Sequence, residues 1–279
     1  MKKDRKTART DRIFFGLNLL LGLVWLAPIY WAFVTSVKTE NEIYSGITLF
    51  PKVFTWENYE ALFAYKDGIA FEWLKNSAII CILTVVLVTL ISVLAGFAFS
   101  KLDVPGGKLF QALVLFTMMV PGTALMVPLY NTMSDFGLLG TVWAMVLIYV
   151  TFQTPFCASM MKRSFDMVPN ELKEAAVVDG ANSLQIFQKI YVPLALPGAV
   201  TVLVYSAYST WNDYTMVLTF GGSKMKTFNV GLVDMLSSAS TLDWGTLTSG
   251  SIVGMLPILI LFLFLQKYFV AGMMSGAVK

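Results

Sequence analysis

The chain has no histidine and only two cysteines among its 279 residues. The first absence removes most zinc sites, Ser-His triads and His-based proton relays together. Cys81 and Cys157 both lie inside long apolar runs. A lone thiol there behaves as a small apolar residue, so neither a disulfide nor a metal is expected. Charge is scarce too, at 13% of residues, against roughly 25% in an ordinary soluble domain. No G-x-x-x-x-G-K-[ST] phosphate loop exists, because the Gly106-Gly107-Lys108 stretch has Leu102 where the first glycine must stand. There is no internal repeat, and no nucleophile–base set points to an enzyme.

What is present is apolar sequence: 57% hydrophobic residues and a mean hydropathy of +0.70. It comes in charge-free runs at 13–37, 76–100, 109–134, 136–161, 190–212 and 244–266. A bilayer core of about 30 Å needs about 20 helical residues at 1.5 Å each, so every run is long enough to span. Six buried helices of a soluble globule would need charged faces between their apolar stripes, and these runs have none. The expected fold is an all-α membrane protein of six transmembrane helices.

With six spans both termini share one side. That side carries fourteen of the twenty lysines and arginines: six before residue 13, then Lys101, Lys108, Lys162, Arg163, Lys173, Lys189, Lys267 and Lys279. The other side keeps Lys38, Lys52, Lys66, Lys75, Lys224 and Lys226. Positive residues stay cytoplasmic during insertion, which places both termini and the 162–195 loop inside. The basic start resembles a signal-peptide n-region. The apolar run after it is too long for one, however, and ends without a small-residue cleavage site, so it is read as the first span.

The outer loop at 38–72 contains a short helix signal, with Thr55 as a cap and Trp56, Tyr59, Leu62 and Phe63 at helical spacing. It is either an interfacial helix with its aromatics among headgroups or a cap that touches something outside. The third run holds Pro121-Gly122 in its middle and Pro128 beyond, followed by Tyr130 and Asn131. Proline frees carbonyls that need a partner in lipid, and broken helices of this kind line pathways. The fifth span is expected to start after Pro193 and Pro197 and to reach about Phe220. Asp213 is its one carboxylate, roughly 25 Å from the inner start at 1.5 Å per residue. An intramembrane acid is a functional suspect, yet at that depth it also reaches water. Tyr205, Tyr208, Trp211 and Asn212 are expected on one face. Their planes and amides suit a sugar, and they equally suit an interfacial aromatic belt.

The 162–193 stretch is the polar island of the chain. Pro169 suits the first turn of a helix, and Glu171 and Glu174 favour its positive end. Leu172, Ala175 and Ala176 make a small apolar face, Gly180 permits a left-handed stop, and Asn182 with Gln185 forms a capping pair for a second helix. Leu184, Phe187, Ile190 and Tyr191 supply the second helix's apolar stripe, which Pro193 ends. The result is a helix–turn–helix hairpin with its second helix on the bundle and its first presented outward.

These residues carry a resemblance. Glu174-Ala175-Ala176, three residues, Gly180, nine residues, Ile190, one residue and Val192-Pro193 resemble the signature of ATP-binding cassette importer permeases, which have leucine where Val192 stands. Pro128 to Asn131, Phe136 to Gly140, Trp211-Asn212-Asp213 and the ending from Tyr268 to Lys279 resemble the shorter six-span subunit of the maltose-type sugar permeases. The resemblance implies a non-catalytic subunit of a bacterial or archaeal cytoplasmic membrane. Its implied partners are a second homologous permease, two cytoplasmic ATPase subunits and an extracytoplasmic sugar-binding protein. ATP and Mg belong to the ATPases, no cofactor to this chain, and no nucleic-acid partner is expected. Glu171, Glu174, Ala175, Ala176, Asp179, Gly180, Ile190 and Pro193 are the implied ATPase-coupling residues. Tyr130, Asn131, Tyr205, Tyr208, Trp211, Asn212 and Asp213 are the candidate substrate path. The chain then divides into a basic N-terminus at 1–12, a first span at 13–37, an outer loop at 38–72, a permease core at 73–270 and a tail at 271–279, with 221–243 reaching the binding protein. Two alternatives remain. One is a permease for another small solute such as a polyamine, since the loop signature is shared across substrates. The other is an ion-coupled carrier, which would need acidic residues near the midplane.

Overall fold

The structure, a computed structural model, describes residues 5–238 and 243–277, with side chains described at 13–237 and 243–267. Every element among them is helical. Four helices are long and apolar enough to cross a membrane, and two bent pairs bring the count to six if each is one span.

The described residues form two compact units, one of those up to Phe71 with those between Leu232 and Leu256, the other of Glu72–Gly231 with those from Pro257 onward. The first unit begins with α1 (Arg5–Ser36), whose apolar side chains from Ile13 to Trp31 are exposed on every face. α2 (Glu40–Ser45) and α3 (Glu57–Ala64) follow in the 38–72 loop. Buried Asn58 of α3 donates to the carbonyls of Ser36 (2.9 Å) and Lys38 (2.8 Å), and Leu62 is fully covered. The buried face of α3 is therefore Asn58 and Leu62, and Trp56 stands outside it. Thr55 accepts the Glu57 N–H instead of acting as the cap residue, which is Trp56.

The second unit is built on α4 (Ile69–Lys101) and α7 (Val142–Asp166), with shorter helices around them. Between the two, the third apolar run divides into α5 (Gly107–Thr117) and, beyond a 3-10 turn at Gly122–Leu125, α6 (Met126–Asp135). The two halves meet at 86°. The break falls at Pro121, whose extended ψ of 127° takes the chain out of helix. Gly96 lets α4 approach the C-terminal end of α7: a Cβ there would lie 2.5 Å from the Met161 Cβ and 2.7 Å from the Lys162 N.

The hairpin expected at 162–193 comprises α8 (Glu171–Val178) and α9 (Ser183–Ile186), then a π turn at Phe187–Tyr191 and α10 (Val192–Leu194). α11 (Leu196–Trp211) continues from α10 after a 69° bend at Ala195. The expectation of a helix ended by Pro193 is corrected here. The π turn lies just ahead of Pro193, in the turn whose carbonyls lose the proline N–H, and helix continues to Leu194. The fifth span is also shorter than expected. α11 stops at Trp211, and α12 (Thr215–Gly221) is separate. α13 (Phe228–Ser238) and α14 (Trp244–Ala277) complete the chain.

Candidate functional site

The hairpin is assembled from its caps. α8 ends in a left-handed Gly180 (φ 79°), whose N–H reaches the Val177 carbonyl at 3.0 Å while the Ala181 N–H reaches Ala176 at 2.9 Å. Those two bonds satisfy the last carbonyls in the manner of a Schellman stop, and a side chain at position 180 would be strained by the backbone alone. α9 opens on a reciprocal box: Asn182 Oδ1 accepts the Gln185 N–H, and Gln185 Oε1 accepts the Asn182 N–H, both at 2.9 Å. The turn is thus specified from both sides.

The two legs of the hairpin differ in burial. Glu171, Glu174, Ala175, Asp179 and Gly180 are exposed, as are Leu172, Val177 and Val178, the last at 87%. Ala176 alone turns inward, against a core that includes Phe165 and Ile186, so the expected Leu172–Ala175–Ala176 face is split. The second leg buries Ile186 and Tyr191, with Ile190 half-buried against the same core. Pro193, in α10, is exposed.

Residues at the end of α4, absent from the candidate set, hold the root of the hairpin. Lys101 Nζ donates to the Val168 carbonyl (2.7 Å) and Asn170 Oδ1 (3.0 Å), and lies 5.4 Å from the centre of the Tyr191 ring. Phe97, one turn earlier, is the hub of an aromatic cluster with Phe187 (4.7 Å), Tyr191 (5.3 Å) and Phe165 (5.7 Å between centroids). Asp166 takes hydrogen bonds from Ser100 Oγ (2.6 Å) and Lys162 Nζ (2.7 Å). A positive residue closing a span beside an aromatic one is the only signal the sequence offers for this joint.

The substrate-path candidates divide into groups. Tyr205, Tyr208 and Asn212 lie on the exposed face of α11, with Tyr208 58% exposed and Tyr205 against Phe156 at 4.8 Å. Asn212 donates its amide to the Tyr208 carbonyl at 2.9 Å. Trp211 does not join them. It is buried on another face with Cys81 and Ala207, and its carbonyl accepts from Asn229. Asp213 sits in the gap between α11 and α12, where Oδ1 caps the Met216 N–H (2.9 Å) and accepts the Tyr149 hydroxyl (3.0 Å). That capping role explains a carboxylate at this position without any ligand. Tyr130 and Asn131 of α6 are exposed, Tyr130 lying 6.2 Å from Phe220.

A polar ladder unmarked in the sequence joins α7 to α11. Gln153, 5% exposed, donates to Thr210 Oγ1 (3.0 Å) and accepts from Ser206 Oγ (2.6 Å), one turn below the Tyr149–Asp213 pair. Both ends of the amide are used, as burial requires.

The sequence matches the profile of the binding-protein-dependent transport system inner membrane component family over residues 88–275. It is 34% identical over 263 residues to the probable ABC transporter permease protein YurM of Bacillus subtilis, covering 94% of this chain and 86% of that protein. It is 32% identical over 274 residues to the trehalose transport system permease protein SugB of Mycobacterium tuberculosis, covering 98% and 99%. Among solved structures, a chain of a bacterial ABC transporter involved in the import of the acidic polysaccharide alginate superposes with a TM-score of 0.78 at 26% identity. That match covers 94% of this chain and 98% of the other.

Proposed function

The chain belongs to the family of binding-protein-dependent transport inner membrane components, and from that premise we propose that it is the sugar-conducting partner of a second permease in an ATP-driven importer. It is a non-catalytic, multi-pass subunit of the cytoplasmic membrane. On this reading both termini face the cytoplasm, two ATPase subunits bind and hydrolyse ATP with Mg, and a sugar-binding protein delivers solute from outside. Relatives named for trehalose and alginate transport support a saccharide. A polyamine or another small solute is the alternative class.

The observation that carries the reading is the hairpin itself. α8 is capped by Gly180, rooted by Lys101, and left with Glu171, Glu174, Ala175, Val177 and Val178 outward. An eight-residue helix with that much exposed apolar surface fits a docking element better than a linker. We assign it to the cleft of an ATPase subunit, with Ile190 and Pro193 on the leg that carries its movement into α11. Tyr130, Asn131, Tyr205, Tyr208 and Asn212 remain the proposed substrate path. Trp211 and Asp213 hold that path in place.

The test is Gly180→Asp in the assembled transporter. Besides a strained left-handed backbone costing about 1 kcal/mol, it adds a negative charge at the stop of α8. Membrane insertion should stay normal and saccharide-stimulated ATP hydrolysis should disappear. Normal uptake by this variant would remove the coupling role. Uptake of a polyamine instead of any saccharide in a substrate panel would overturn the sugar assignment.

A further inference from the structure

The first unit contains a cavity of about 350 Å³ that the transport reading does not use. Its walls include Trp31 and Thr35 from the last turns of α1, Lys38 just beyond, Ile43 of α2 and Trp244 at the start of α14. It lies where one apolar span ends and another begins, since the candidate spans run Ile13–Ser36 and Trp244–Lys267. Trp31 and Trp244 are 39% and 49% exposed, as tryptophans at the level of lipid headgroups are.

Two polar groups of the wall are buried and underused. Thr35 is 5% exposed, and its Oγ1 has no hydrogen-bond partner. A buried hydroxyl left so is an unused donor. Lys38 is 2% exposed; its ammonium donates to the Thr48 carbonyl at 2.6 Å and lies 5.1 Å from the Trp31 ring centre. An ammonium has three N–H groups, so one such bond leaves donors to spare. The neighbouring carboxylate, Glu42, feels the Lys38 charge but takes its hydrogen bonds from other groups, accepting the Lys52 N–H (2.9 and 3.0 Å) and the Thr48 hydroxyl (2.9 Å).

The cavity is thus apolar in its walls and supplies donors from its buried polar groups. Its complement is an anion rich in acceptors, poor in donors and attached to an apolar stem. A saccharide brings about as many donors as acceptors and no charge for the ammonium. We propose that this cavity holds the phosphodiester of a membrane phospholipid. Lys38 and Thr35 donate to the phosphate oxygens, and the glycerol with its first acyl carbons lies along Trp31, Ile43 and Trp244. The lipid would pin the outer end of α1, whose preceding side chains find no cover on this chain.

The probe is phosphatidylglycerol. The complete transporter, purified from bilayers containing that lipid, is examined by native mass spectrometry during stepwise delipidation. One phosphatidylglycerol per copy of this chain should be retained after the annular lipids have gone. Thr35→Val with Lys38→Met should weaken its retention about tenfold or more, the loss expected of charge-assisted bonds. Ala32→Phe, which fills the cavity and leaves both donors intact, should remove the lipid without removing the ammonium. Should the double variant fold poorly, Thr35→Val alone keeps the Lys38–Thr48 bond and should still weaken retention. Equal retention in the wild type and all variants overturns the proposal. Displacement of the bound species by inorganic phosphate at matched concentration overturns the lipid as its source.

Discussion

Lys101→Met asks whether one cation holds the hairpin to the bundle. The ammonium of Lys101 touches both legs: Val168 and Asn170 where the chain enters, Tyr191 where it returns. Methionine keeps most of the apolar stem and removes only the charge. Hydrogen bonds to a charged group contribute about 1.5–3 kcal/mol when buried, and an exposed cation–π contact about 0.5–1 kcal/mol. Lys101 is half-buried, so water recovers part of this on opening, and a net loss of about 2 kcal/mol is reasonable. That corresponds to about a thirtyfold shift in the equilibrium between docked and open root. Amide hydrogen exchange reads this directly, because exchange follows the open population when reclosing is fast. The N–H groups of Lys173 and Glu174, bonded to the Asn170 carbonyl at 2.9 and 3.1 Å, should exchange about thirtyfold faster, with α7 unaffected near Gln153. Solute-stimulated ATP hydrolysis should fall while basal hydrolysis holds, and Lys101→Arg should restore much of both. Unchanged exchange in the methionine variant would refute the reasoning, whatever happened to activity.

Gln153→Leu leaves the Ser206 and Thr210 hydroxyls without their partner inside the membrane, at a cost of about 1 kcal/mol for contacts of this kind. It should lower the melting temperature of the purified complex, and an unchanged melt would mean the ladder contributes nothing. Tyr208→Ala and Asn212→Ala, both on the exposed face of α11, should raise the half-saturating solute concentration or reduce maximal uptake. Unchanged transport in both would return them to an aromatic belt. Glu42 predicts an acid-labile 38–72 loop. Burial works against its ionisation, but the Lys52 N–H, the Thr48 hydroxyl and the Val53 N–H outweigh it and hold the carboxyl below its usual range. A folded value below the unfolded one means the contribution is complete above about 4.3, the ordinary glutamate value, and is lost as pH falls through the folded value. Protection factors of the Lys52 and Val53 amides, which normalise for the slower intrinsic exchange in acid, should therefore fall only in acid, and Glu42→Gln should bring that loss to neutral pH.

The hairpin was legible because each of its devices is local. Gly180 sits two residues past the last turn of α8, and Asn182 stands three before Gln185, so the stop and the restart follow from spacing alone. The break in the third span was legible for the same reason, at Pro121. Trp211 was misplaced although the information was there. At about 100° per residue, Tyr205, Tyr208 and Asn212 fall within about 60° of one another, while Trp211 lies about 120° from Tyr205. Asp213 was likewise a cap three residues ahead of Met216, and Asn212-Asp213 is turn chemistry, not mid-helix chemistry. The joint of Lys101 with Val168, Asn170 and Tyr191, and the pairing of Gln153 with Ser206 and Thr210, could not be read from spacing. Their partners stand 53 to 69 residues apart in the hydrogen bonds concerned, and only the folded topology selects them.

Those long-range contacts also decide how a push on α8 can travel, given the proposed docking to an ATPase. The second leg of the hairpin passes through the bend at Ala195 into α11, the helix that presents Tyr205, Tyr208 and Asn212. Bending alone would absorb the movement if α11 were free. It is not: Gln153 ties its C-terminal half to α7, and Trp211 is wedged with Cys81 of α4. α4 in turn meets the hairpin root through Phe97 and Lys101. Hairpin, α4 and α11 therefore form a closed loop of contacts in which α8 cannot shift without moving the exposed face of α11 or opening the Lys101 joint. Freeing that joint should uncouple ATP hydrolysis from transport while leaving the exposed face of α11 itself intact.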